Sequence, residues 1–290
     1  MKIKSLLITI LITGLSCLSL FSQKDRYKIS LAEWSLHRTL QKGTITNLDF
    51  PRIAKQDYGL DGVEYVSTFF RGKGEDNEYL TALKDSCDKY GVKSILIMVD
   101  GEGNLADTSL SVRNKAVENH YKWVKAAKFL GCHSIRVNAR GSGTKEQVQD
   151  AAVDGLSKLS AYAADYGINV IVENHGGYSS DGIWLSGVMK RVNKPNCGTL
   201  PDLGNFYEYD RYQGVADLMP FAKGVSGKTH DFDESGNETQ IDYVRMMKII
   251  SASKYTGYID AEYEGTKLSE DEGIKATVAL LKKVIAPYNR

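Results

Sequence analysis

The chain has 290 residues, with 37 Lys and Arg against 36 Asp and Glu and a formal net charge of +1. That balance excludes the broad basic face that nucleic-acid partners require. The length suits one large α/β domain or two small ones.

Residues 1–23 read as a secretory signal peptide. Lys2 and Lys4 precede an apolar run from Leu6 to Phe21, and polar residues follow near Ser22–Gln23. The run is short for a membrane span, so no span is expected in the mature chain. The expected location is periplasmic or extracellular. Cys17, after Leu15–Ser16, offers a lipoprotein site. Residues 24–290 read as a single domain. Its three cysteines, Cys87, Cys132 and Cys197, show no CxxC and no metal spacing, and free thiols are expected.

Short apolar strands then alternate with amphipathic helices. In chain order the strands are KISLAEW (28–34), GVEYV (62–66), KSILIMV (93–99), SIRVN (134–138), INVIVEN (168–174), CGTLPDL (197–203), GVSGKTHDF (224–232) and GYIDAEYEG (257–265). Between the third and fourth, Val117, Tyr121, Val124, Ala127 and Leu130 line one face of a helix over 112–130. After the eighth, Ile274, Val278, Leu281 and Ile285 do the same over 270–286. Gly91, Gly131, Gly167 and Gly257 are expected to end helices in the left-handed conformation. Eight strands each followed by a helix predict a (β/α)8 TIM barrel. A doubly wound open sheet is the alternative. It would spread the strand ends along an edge, whereas a barrel gathers them at one mouth.

Polar residues fall late in these strands, where barrel active sites form. Side chains alternate along a strand, so Glu173 shares a face with His175, Glu262 with Glu264, and Lys228 with Ser226 and His230. If Val170 and Val172 face the helices, Glu173 faces the interior. Glu173, Asp202 and Glu262 would then meet in one small volume, where three like charges require a cation. Oxygen-rich ligation with one imidazole favours Mn²⁺, Mg²⁺ or Co²⁺ over Zn²⁺. The string AKGVSGKT (222–229) matches P-loop spacing, but the extended THDFD that follows leaves no helix to cradle a phosphate.

The segments AEWSLHR, GVEYV, RVN, VENHGGYSSD, PDLGNF, GKTHDFDESGNE and GYIDAEYEG carry a likeness across most of residues 28–286. In their order and strand placement, the chain resembles the sugar isomerase/epimerase family with a xylose isomerase-like barrel. The resemblance implies a divalent metal held by Glu173, Asp202, His230 and Glu262. Two departures stand out. Asn205 stands where relatives commonly carry a His three residues after the Asp, and Ser226 stands where they carry the His of a His-x-Lys pair, with Lys228 at the Lys.

The expected activity is isomerisation or epimerisation of a ketose or keto-sugar by proton transfer through an enediolate. Glu173 and Glu262 would move the proton, and His175 and Lys228 would bind hydroxyls or protonate the enolate. Trp34, His37, Glu64, Asn138 and Asn205 would contact the small carbohydrate. Two alternatives stand: β-elimination from a 3-keto-glycoside by a lyase or hydratase, and a non-catalytic carbohydrate-binding barrel. The residues leave the oligomeric state open.

Overall fold

The computed structural model describes residues 25–289. The expected signal peptide and Cys17 lie outside the described residues. Eight strands run parallel: β1 Tyr27–Ala32, β2 Gly62–Val66, β3 Lys93–Met98, β4 Ser134–Val137, β5 Asn169–Glu173, β6 Cys197–Leu200, β7 Val225–Thr229 and β8 Gly257–Tyr263. They form one sheet in the order β6-β5-β4-β3-β2-β1-β8-β7. The two outer strands, β6 and β7, meet through parallel bridges Thr199–Ala222 and Asp202–Ser226, which curl the sheet into a barrel. The open-sheet alternative is thereby overturned.

Among the described residues, nine α-helices surround it: α1 His37–Gln41, α2 Phe50–Gln56, α3 Asn77–Tyr90, α4 Leu110–Leu130, α5 Lys145–Ala164, α6 Gly182–Val192, α7 Arg211–Leu218, α8 Tyr243–Ala252 and α9 Glu270–Ile285. Local chemistry sets their ends. Capping boxes at Thr144/Gln147 and Ser269/Glu272 start α5 and α9. Acidic residues fill the first turn of α9 and Lys282 and Lys283 its last, both favourable to the helix dipole. Gly91 and Gly131 end α3 and α4 with positive φ, as expected. Gly257 departs from expectation: α8 already ends at Ala252, and Gly257 opens β8.

The strands are buried along nearly their whole length, as a parallel sheet covered on both sides demands. Val170 and Val172 alternate with Ile171 and Glu173 along β5. The ends of Leu96, Ile171 and Leu200 gather around Gly224, marking an apolar layer low in the barrel. Lys228 and Thr229, the last two residues of AKGVSGKT, belong to buried strand β7, so no phosphate loop exists there. Gly227 in that strand is needed for close approach, since a Cβ would lie 2.5 Å from the Asp260 carbonyl oxygen. Cys87, Cys132 and Cys197 are free, the last only half-buried. No helix among the described residues is long and apolar enough to cross a membrane.

Candidate active site

The strand C-termini surround a cavity of about 570 Å³. Glu173 from β5, Glu262 from β8, Arg136 from β4, Asn138 and His175 all line it, with Trp34 on one wall. Trp34 is held between His37, stacked at 4.8 Å, and Phe69 at 6.0 Å. His37 therefore supports Trp34 and does not line the cavity. Its Nδ1 lies 2.7 Å from the Trp34 carbonyl.

Two buried cations organise the carboxylates. Arg136 Nε lies 2.8 Å from Glu173 Oε2 and Nη1 donates to Asp100 Oδ1 at 2.9 Å. Burial alone would lower the Arg136 pKa, but Glu173 and Asp100 hold it above its usual value. Burial alone would raise Asp100; Arg136 and the amide of Asn138, at 2.7 Å, bring it below the ordinary carboxylate range. Lys228 is 2% exposed, and its ammonium lies 3.0 Å from Asp202 Oδ2, 3.8 Å from Glu262 Oε1 and 3.4 Å from Glu264 Oε1. Burial opposes its charge, yet these partners keep it well above 10.5. Lys228, expected to touch substrate, sits behind the cavity wall and neutralises Glu262 and Glu264, which line it.

Burial pushes Glu262 up to about 8, against the pull of Lys228 and with Glu264, Asp202 and Glu173 adding repulsion. Ser226 Oγ donates to Glu262 Oε2 at 2.7 Å. His175 is driven down to about 4 by burial and by Arg136 and Lys228, so it is neutral near pH 7. Its Nδ1 lies 2.9 Å from Asn138 Oδ1.

The string VENHGG divides its labour by alternation and by the strand's end. Glu173 closes β5 and faces the cavity. Asn174 points away from it: its Oδ1 accepts from the Asp202 amide at 2.8 Å and its Nδ2 donates to the Asp202 carbonyl at 2.9 Å, tying the β5 end to the β6 loop. His175 returns to the cavity. Gly176 and Gly177 take positive φ and turn the chain.

Several expected contacts fall elsewhere. Glu64 lies beneath the cavity, where Ser30 Oγ donates to it at 2.6 Å. It faces Asp260, and neither Glu64 Oε2 nor Asp260 Oδ2 has a donor among the described residues. One proton shared between the two carboxyls satisfies both. Burial pushes Glu64 up to about 7 and Asp260 well above its usual range. Asn205 is buried and bridges two carboxylates, donating to Glu173 Oε1 at 3.1 Å and to Asp202 Oδ2 at 3.0 Å. His230 lies beyond β7, which ends at Thr229, so strand alternation no longer governs it, and it does not line the cavity. Glu264 lines the cavity with Glu262 and pairs with Lys228. Arg136 and Asp100 were not among the expected site residues. The signal for Arg136 was its place two residues before Asn138 on one strand.

The donor set implied for a metal is not assembled. No group of three or more His, Cys, Asp or Glu side chains among the described residues is placed to hold an ion. Asp202 Oδ1 accepts from the Gly204 and Asn205 amides, and its Oδ2 from Asn205 and Lys228. Both Glu173 oxygens are engaged, no imidazole joins them, and the Lys228 ammonium fills the gap between Asp202 and Glu262. These residues do not fit a divalent metal held by Glu173, Asp202, His230 and Glu262.

A parallel eight-stranded barrel with acids, an imidazole and a tryptophan at its C-terminal mouth defines the class: a TIM barrel with a polar pocket. Residues 53–284 match the family described as xylose isomerase-like TIM barrel, and the chain belongs to that family. Solved structures of similar fold include an IolI protein with a bound zinc atom, at TM-score 0.71 and 16% identity over 90% of this chain and 99% of that one. A D-psicose 3-epimerase determined with D-fructose gives 0.69 and 15% over 89% and 99%. A 3-keto-D-glucoside 4-epimerase from E. coli gives 0.69 and 16% over 89% and 99%. A C-glycoside deglycosidase alpha subunit of Arthrobacter globiformis is 36% identical over 67 residues, 23% of this chain and 19% of that one.

Proposed function

We propose that this protein is an enzyme that moves a proton alpha to the carbonyl of a keto-sugar, as an epimerase or isomerase. The observation that carries the reading is the meeting of Glu173 and Glu262 in one cavity, with the Arg136 guanidinium 2.8 Å from Glu173. Trp34 packs the sugar face. Glu173 takes the C–H proton, the bond's electrons pass to the carbonyl oxygen, and Arg136 donates to the resulting oxyanion. Glu262, raised to about 8, carries a proton at neutral pH and returns it to the opposite face of the carbon. His175 and Asn138 bind hydroxyls. No step is routed through a metal.

A second reading ends the same enolate by expelling the C1 substituent of a 3-keto-glycoside, with Glu262 protonating the leaving oxygen. An open cleft beside the cavity and the short deglycosidase likeness support it. The proposed location is outside the cytoplasm, supported by Lys2, Lys4 and the Leu6–Phe21 run. The test is NMR of keto-sugars incubated with the protein in D₂O. Deuterium entering the alpha position, with an epimer or isomer formed, supports the first reading; an unsaturated keto-sugar supports the second. Neither exchange nor turnover, with sugar bound, makes the protein a carbohydrate binder.

A further inference from the structure

A second cleft, of about 950 Å³, lies beside the first cavity. The two share Asn104, Arg140 and His175 in their walls, which sets them side by side at the barrel mouth. The cleft is built on loops: the stretch after β4 holding Arg140 and Lys145, the turn after β5 holding Tyr178, and the β6–α7 loop holding Tyr207 and Glu208. Tyr207 is 73% exposed and lines the cleft, which leaves its ring open to a ligand. Its hydroxyl lies 3.5 Å from Asn205 Oδ1, the same amide that holds Glu173 and Asp202. Tyr178 is fixed by its hydroxyl, which donates to the Gly143 carbonyl at 3.1 Å. Arg140 is aimed along the shared wall by the His175 carbonyl at 3.2 Å. Flat ring faces set among charged and hydroxyl groups suit a ligand that is itself flat, apolar on its faces and polar at its edge.

We propose that this cleft receives the second ring of a glycoside, the ring across the glycosidic bond from the keto-sugar, stacked on Tyr207. The shared chemistry is a ring face with a polar edge, supplied by either a pyranose or an aryl group. The inference rests on the keto-sugar reading of the first cavity and assigns the C1 substituent of a glycoside a binding site of its own.

The test measures equilibrium binding to the full chain carrying Glu173→Gln, which prevents turnover. The probes are methyl 3-keto-glucoside, phenyl 3-keto-glucoside and a 3-keto gluco-disaccharide. A ring-bearing probe is expected to bind about tenfold tighter than the methyl glycoside. Tyr207→Ala removes that advantage and leaves methyl glycoside binding unchanged, while Tyr207→Phe keeps it. Preference for the phenyl probe alone assigns an aryl group, and preference for the disaccharide alone assigns a second sugar. Equal binding of all three probes, or equal weakening of all three by Tyr207→Ala, overturns the inference and leaves the keto-sugar reading intact. Failure of every probe to bind overturns both.

Discussion

The Lys228 ammonium lies 3.0 Å from Asp202 Oδ2, and both side chains are withdrawn from water, at 2% and 0% exposure. A buried pair of this kind adds little net stability over an apolar substitute, yet breaking it is costly because the surviving charge has no partner. Lys228→Met leaves Asp202, Glu262 and Glu264 facing one another without their cation. Denaturant titration is expected to show a loss of roughly 3–5 kcal/mol. Adding Asp202→Asn to that variant is expected to restore part of it. A loss below about 1 kcal/mol would show the ammonium to be dispensable.

The same contact sets an expectation for metal removal. Because Lys228 and Arg136 already neutralise the carboxylates, protein dialysed against a chelator should keep its solvent-proton exchange rate on a keto-sugar. Elemental analysis of the untreated protein should find no stoichiometric divalent metal. Exchange abolished by chelation and restored by Mn²⁺, Mg²⁺, Co²⁺ or Zn²⁺ would show that the carboxylates rearrange around an ion.

Glu173→Gln and Glu262→Gln each keep the shape of the side chain and remove its ability to move a proton. Each is expected to lower deuterium exchange by about 10²–10⁴-fold. Circular dichroism and thermal melts should remain those of a folded barrel. Exchange at the parent rate in either variant removes that carboxyl from the proposed chemistry.

Glu33, behind the cavity wall at Trp34 and Val66, provides a pH test. Its carboxyl is wholly buried and accepts from the Val66 amide at 2.8 Å, while Oε1 has no donor among the described residues. Burial raises it from 4.5 to about 8, against the pull of the Val66 amide. The folded state therefore keeps a proton that the unfolded state releases above about pH 4.5. Stability from this group is complete below that pH and is lost as pH rises toward about 8, at up to about 1.4 kcal/mol per pH unit. Glu64, raised to about 7, acts in the same direction. Unfolding free energy should fall between pH 5 and pH 8, and Glu33→Gln should flatten the slope and gain most at pH 8. A parent and variant with parallel pH profiles would refute the assignment.

Much of the fold was legible because each signal was local. Apolar runs, left-handed glycines and capping boxes fix where strands and helices begin and end, and eight alternations admit few architectures. Gly257 misled because the same residue that ends a helix can also open a strand. The site was legible wherever alternation held: Glu173 and Glu262 lie within strands, and His175, two residues past β5, keeps the face of Glu173. His230, one residue past β7, does not line the cavity, because alternation is not binding once a strand has ended. Arg136 was passed over, although a charged residue inside SIRVN must either be paired or disrupt the barrel. Its partner Asp100 comes from the loop after β3, the strand paired with β4, a contact that only the strand register reveals. Lys228 and Asn205 lie too deep to meet a ligand, and burial depth within one face is not written in the two-residue rhythm.

Proton-handling and ring-binding groups ride on different parts of the chain. Glu173, Arg136 and Glu262 project from strands that cannot shift without unpicking the sheet, whereas Tyr178 and Tyr207 sit on connections free to change length and composition. Descendants of this sequence can therefore exchange one leaving group for another by rewriting two surface segments, and the chemistry is inherited untouched. Among homologues, drift at 178 and 207 beside constancy at 136, 173 and 262 would mark such an exchange.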